Sequence, residues 1–154
     1  MNEEYFSSFS QDEFVNLLLN KKNGTFIEIG SNDPILHNNT FFFEKKLNWR
    51  GIMIEASGQY LDSYNKNRPN SIHIIKNALS INYSELFKTH DIPKAIDYLS
   101  LDIHENENLN ALELLDKQIL NSYKFGCITF EHNFYMGRFS ICRDRSREIL
   151  KNRG

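Results

Sequence analysis

Glycine is scarce in this 154-residue chain, with seven in all. Only Gly30 follows the first strand-like run, "TFIEIGSNDPILHNNT". A diphosphate cradle at that turn needs two further glycines, so a dinucleotide is not the expected ligand. Cysteine is equally sparse. Cys127 and Cys142 are too few for a disulfide framework, and Cys127 sits in an apolar run as a buried small hydrophobe would. No apolar stretch approaches the roughly 18–20 residues of a membrane span. The opening "MNEEYFSSFS" lacks the basic region and apolar core of a signal peptide. A reducing cytoplasm is the expected compartment, with no membrane partner. Charge is nearly balanced, 18 Lys and Arg against 20 Asp and Glu. That leaves no basic footprint for nucleic acid or anionic lipid. Internal repeats and low-complexity tracts are missing too.

What is present suits one globular domain, residues 1–154. Hydrophobic residues make up 40% and charged residues 25%, and twelve phenylalanines supply core filling. Strand-like and helix-like segments alternate. "SQDEFVNLLLN" opens with Ser10 and Glu13 at capping-box spacing, and Phe14, Leu17 and Leu18 share one helical face. "TFIEI", "GIMIE", "SIHIIK", "AIDYLSLDI" and "FGCITFEHN" are the predicted strands. Between them, "TFFFEKKL" is a helix capped by Asn39 or Thr40, and "SGQYLDSYNKN" one capped by Ser57. "NYSELFKTH", "NLNALELLDKQI" and "RDRSREILKN" complete the helices, and Phe41 to Phe43 are expected in the core. Five strands with helical crossovers predict an α/β, doubly wound, mostly parallel sheet of Rossmann-like type. The chain stops at Asn152-Arg153-Gly154, where a helix would hand over to another strand. The fifth strand is therefore expected at a bare sheet edge. An early end to the fold, a partner such as a second copy on that edge, and truncation are the open alternatives.

In an open α/β sheet, ligands bind outside the carboxyl ends of the strands. The residues there form the candidate site. They are Gly30, Ser31, Asn32 and Asp33 after strand one, and Glu55 and Ala56 at the end of strand two. Asn77 and Ala78 follow strand three. Asp102, Ile103, His104 and Glu105 end strand four, and Glu131, His132 and Asn133 end strand five. Gly30 marks a close approach of ligand to backbone. Glu55 stands where a carboxylate accepts hydrogen bonds from both hydroxyls of a ribose. A ribose site with no phosphate cradle suits S-adenosylmethionine, with Glu28 placed toward the ammonium of its amino-acid tail.

"FIEIGSNDPILHNNTFFFEKKLNWRGIMIEAS" resembles the amino-terminal motif of FkbM-type methyltransferases. Glu28, Gly30, Asn32, Asp33, Asn39, Thr40, Glu44, Trp49, Gly51 and Glu55 stand at matching places. "KNALS", "IDYLSLDI" and "ITFEHN" resemble later parts of that family, so the likeness covers about Gly24 to Leu150. It implies a class I S-adenosylmethionine fold and methyl transfer, commonly to a hydroxyl of a sugar or related small molecule. It also implies cofactor contacts from the Gly30–Asn32 loop, Glu55 and the Asn77–Ala78 turn, with Thr40 in the matching motif. Three departures stand out. Pro34 replaces a usual glycine, His104 replaces a usual acid, and a final pair of strands is lacking.

Methyl transfer to oxygen needs a positioned nucleophile and removal of its proton. Asp102, His104, Glu131 and His132 come from adjacent strand ends, with His104 or His132 a candidate base. A divalent ion held by Asp102, Glu131 and Asn133 with a histidine is the weaker alternative, since no H-x-x-x-H or C-x-x-C spacing accompanies it. "NFYMGRFSICRDRSR" brings four arginines and three aromatics. It is either a surface loop entering a helix or a lid in which Tyr135 or Phe134 and Arg138 meet an acceptor. Two competing functions remain: an inactive nucleoside-binding module of the same fold, and a nicotinamide-dependent oxidoreductase, against which the missing glycines count.

Overall fold

The computed structural model describes residues 5–104, 107–137 and 140–153, apart from the side chain of Tyr135. Five strands form one sheet: β1 (Thr25–Ile29), β2 (Arg50–Glu55), β3 (Ile72–Ile75), β4 (Ala95–Leu101) and β5 (Lys124–Phe130). Their order is β3-β2-β1-β4-β5, and every pairing is parallel. Six α-helices accompany them: α1 (Gln11–Leu19), α2 (Phe41–Leu47), α3 (Leu61–Asn67), α4 (Tyr83–Thr89), α5 (Glu107–Gln118) and α6 (Ser140–Arg153). The chain is thus an α/β protein with a Rossmann-like, doubly wound sheet. β1 pairs with β2 on one side and with β4 on the other. The strand order therefore reverses next to β1, and a crevice opens at its carboxyl end.

Alternation along the strands sorts two cores. Ile27, Ile29, Ile52, Ile54, Leu99 and Leu101 face α4, α5 and α6, joined by Phe87, Leu112, Leu115 and Ile149. Phe26, Met53 and Tyr98 face the opposite way, onto Val15, Phe42, Phe43, Trp49 and Tyr64. Phe41 to Phe43 are buried, as expected for core. On that second face Glu28 takes the place of an apolar residue and lies in register with Met53 and Ser100.

Two local expectations need correction, and a third gains a direction. Ser10 has φ 57° and its side chain accepts no capping bond, so the expected capping box is not formed. The Asp12 carboxylate instead accepts from the backbone N–H groups of Phe6 and Ser7, at 2.6 and 3.2 Å, folding the preceding segment over the helix start. The apolar stripe of α1 faces outward: Phe14, Leu17 and Leu18 are 56%, 74% and 56% exposed, while Val15 is buried. Finally, Thr40 stands at the N-cap of α2 as expected, but neither its side chain nor that of Asn39 supplies the capping bond. Asn38 Oδ1 accepts from the N–H groups of Thr40 and Phe41, at 3.0 and 2.8 Å. Ser57 does cap its turn, accepting from Gln59 N–H. β5 lies at a sheet edge, with β4 its partner in the sheet.

Candidate functional site

A cleft of about 610 Å³ opens at the carboxyl ends of the strands. Gly30, Asn32, Glu55, Ala56, Asn77, Ala78, Asp102, His104, Glu131 and Asn133 all line it. With Ile103, eleven of the residues singled out from the sequence are therefore brought to one place.

Gly30 is required by two constraints at once. Its φ is +85°, and a Cβ would sit 1.9 Å from the backbone oxygen of Asp102. Glycine alone has neither the steric penalty nor the clashing atom. Its N–H donates to Ile54 O at 2.9 Å, and Asp102 N–H donates to Ile29 O at the same distance. These two bonds carry the sheet ladder to the rim of the cleft. Glu55 is fixed by its own backbone surroundings. Oε2 accepts from Asn32 N–H at 2.9 Å and Oε1 from Ser57 N–H at 2.8 Å. The carboxylate is half-buried, and each oxygen keeps a lone pair for a further donor. On the far side, Asn77 Oδ1 caps the short turn at Ala78–Ser80 by accepting from Leu79 N–H.

Glu28, Ser31 and Thr40 are not in the lining; they lie beneath it. Glu28 is 1% exposed. Its carboxyl accepts from Asn39 N–H at 3.0 Å, Thr40 Oγ–H at 2.7 Å and Asn38 Nδ2 at 3.2 Å. Burial pushes its pKa up to about 7, against the pull of Arg68 and these donors. Ser31 Oγ meets the Tyr64 hydroxyl at 2.6 Å. Their roles in this structure are to brace the loop between β1 and α2, because their polar atoms are already satisfied inside the protein. Arg68 is the keystone of that brace and was not legible as such. It is fully buried and donates to Glu44 at 2.8 Å, Asn38 Oδ1 at 2.9 Å, Thr40 Oγ at 2.8 Å and Pro34 O at 3.1 Å. An arginine at a helix end reads as exposed unless its four acceptors, scattered from residue 34 to 44, are known to converge.

A second cavity of about 400 Å³ adjoins the first. Asp102, Glu131 and Asn133 line both. Phe9, Leu101, Phe130 and His132 belong to the second alone. Asp102 and Glu131 bring two carboxyl groups to the junction of the cavities. Burial, and then Asp102, pushes Glu131 up to about 8.

His132 differs from the expected base. Its Nδ1 accepts from Phe134 N–H at 3.2 Å, so the neutral ring carries its proton on Nε2 and is a donor there. Burial and the Arg147 and Arg143 charges hold its pKa below the usual histidine value. His104 is exposed at the mouth of the first cleft. Arg138 lies outside the described residues, as does the side chain of Tyr135. Phe134 is stacked by Arg143, with the guanidinium 3.9 Å from the ring centroid. Asn108 is a further residue that the sequence did not single out. It is buried in α5, accepts from Ile103 N–H at 2.6 Å, and donates to Ile103 O and Glu131 O, each at 2.9 Å. It thereby ties the β4 and β5 ends together. Among the described residues, no group of three or more His, Cys, Asp or Glu side chains is placed to hold a metal ion. No described helix is long and apolar enough to cross a membrane.

Comparison with known proteins finds no family model that matches the chain and no curated protein that matches it.

Proposed function

We propose that the chain is an S-adenosylmethionine-dependent methyltransferase that acts in the cytoplasm on a hydroxyl of a small molecule, of the FkbM type that its sequence resembles. One observation carries the reading. The bare backbone of Gly30 and the carboxylate of Glu55 share one cleft at the strand-order reversal, and the loop that follows Gly30 up to α2 has no further glycine. Glu55 is oriented by two backbone donors and has lone pairs left for two ribose hydroxyls. The Asn77–Ala78 turn supplies a small-residue wall beside it, where a purine ring fits. Asp102 at the end of β4 reaches the same cleft, where a sulfonium or ammonium charge gains from a carboxylate. A second copy on the exposed edge of β5 belongs to this proposal as an oligomeric state.

Calorimetric titration with S-adenosylhomocysteine tests the reading, with NAD as the control. Binding of the first and not the second is expected. Heat from NAD alone favours the oxidoreductase reading, and heat from neither favours a module without a nucleoside ligand. Glu55→Ala is expected to weaken S-adenosylhomocysteine by about 10- to 100-fold, since one charged acceptor serving two hydroxyls contributes about 1.5–3 kcal/mol. The circular dichroism of the variant should match that of the parent.

A further inference from the structure

We propose that the second cavity is the acceptor subsite, and that it takes an uncharged hydroxylated aromatic compound, a phenol or naphthol, with its hydroxyl at the Asp102–Glu131 pair. This rests on the methyltransferase reading and narrows its acceptor.

The cavity's shape and chemistry carry the assignment. Among the described residues it shares Asp102, Glu131 and Asn133 with the cofactor cleft, so a molecule seated in it presents one end to the methyl donor. Its body is walled by Phe9, Leu101 and Phe130. Three polar side chains along that body are engaged in part, Gln11 through its Oε1, which accepts from Phe9 N–H at 2.9 Å. Thr129 Oγ pairs with the Tyr98 hydroxyl at 2.7 Å, and Asn39 Nδ2 donates to Ser100 Oγ at 3.0 Å. A sugar placed there leaves several hydroxyls without partners, which is costly in an apolar site. No Lys or Arg lines the cavity among the described residues, while two carboxyl groups do. An anionic acceptor therefore faces two carboxyl groups in the wall, with no cation among the described lining residues. The Nε2–H of His132 is left as a donor in the cavity lining, available to an acceptor oxygen.

The step balances as an in-line displacement. A lone pair on the acceptor oxygen forms the new O–CH3 bond as the S–CH3 bond breaks. That bonding pair stays on sulfur, giving S-adenosylhomocysteine. The hydroxyl proton passes to the ionised carboxylate of Glu131 and from there to water. A phenolic hydroxyl, with an ordinary pKa near 10, is within reach of a carboxylate base whose pKa is raised, whereas a sugar hydroxyl is far weaker as an acid.

The test uses the whole chain with S-adenosylmethionine and three probes: 2-naphthol, methyl α-glucoside and 6-hydroxy-2-naphthoate. Methylated product is read by mass spectrometry, and probe binding by saturation-transfer NMR. 2-Naphthol is expected to exceed both others by roughly tenfold or more in kcat/KM, the scale of hydrophobic and charge discrimination in a pocket. Phe9 is 75% exposed, so Phe9→Asp leaves the fold intact. It should weaken naphthol binding by about fivefold or more through lost apolar contact, with S-adenosylhomocysteine affinity unchanged. If S-adenosylhomocysteine binds but the glucoside or the carboxylated naphthol is used as well as naphthol, the acceptor assignment falls and the cofactor reading stands. The acceptor assignment falls likewise if Phe9→Asp leaves naphthol binding unaltered. If S-adenosylhomocysteine fails to bind, the methyl transfer itself falls, and this proposal with it.

Discussion

Replacing Arg68 with methionine isolates the buried network that braces the loop between β1 and α2. Methionine matches the length of the stem and can still lie between Phe26 and Phe41, over whose rings the guanidinium sits at 5.6 and 5.7 Å. The charge and four donated bonds are lost. Glu44 keeps Ser71 Oγ–H at 2.6 Å and Asn70 N–H at 3.1 Å, but its charge stays buried without a cation. Breaking one side of a buried pair costs about 3–5 kcal/mol. With an m-value of about 2 kcal/mol per molar urea, the midpoint should drop by roughly 2 M at unchanged slope. The loss should also depend on pH through Glu28. Its folded pKa, about 7, lies above its ordinary value of 4.5. The native state thus holds the extra proton between those limits, and stability falls as pH rises through that window, by on the order of 3 kcal/mol in all. Arg68 opposes this rise, so its removal pushes Glu28 higher still. The deficit of the variant should be smaller at pH 5.5, where Glu28 is protonated in both proteins, than at pH 8. A loss below about 1 kcal/mol, or a deficit equal at the two pH values, refutes the network as described.

Gly30→Ala should destabilise the protein by more than the roughly 1–2 kcal/mol of a left-handed alanine, because the new methyl also displaces the Asp102 carbonyl; urea denaturation measures this, and calorimetry should show S-adenosylhomocysteine affinity lost with it. For methyl transfer, kcat/KM should rise with pH through about 8 as the Glu131 carboxyl ionises. Glu131→Gln should abolish that limb of the pH profile, while His132→Gln should leave it in place, because Nδ1 of His132 is already committed to Phe134 N–H.

The parts of this architecture that were legible in sequence are local in the chain. Each strand is a short apolar run closed by a polar turn, and a parallel sheet brings those turns to one rim whatever the details of packing. Gly30, Glu55, Asn77 and Asp102 were found in that way. What escaped depends on long-range convergence. Asn38 caps α2 because Glu28, Arg68 and the loop backbone hold it, and no capping pattern encodes a residue 30 positions downstream. Glu28 pointed toward the ligand in sequence, since it sits two residues from the rim. The alternation of the strand instead turns it onto the α2 face, under the loop. The stripe on α1 was legible as a shared face, but not the direction in which it points. Periodicity shows which residues share a face, and the helix turns Val15 inward while Phe14, Leu17 and Leu18 stay wet.

The contact between Gly30 and the Asp102 carbonyl leaves no slack between the first and fourth strands at their tips. Asp102 also fronts both chambers, so anything that reshapes the turn after β1 moves a wall of the neighbouring chamber. Filling one side should therefore tune the grip of the other, by the same factor in both directions.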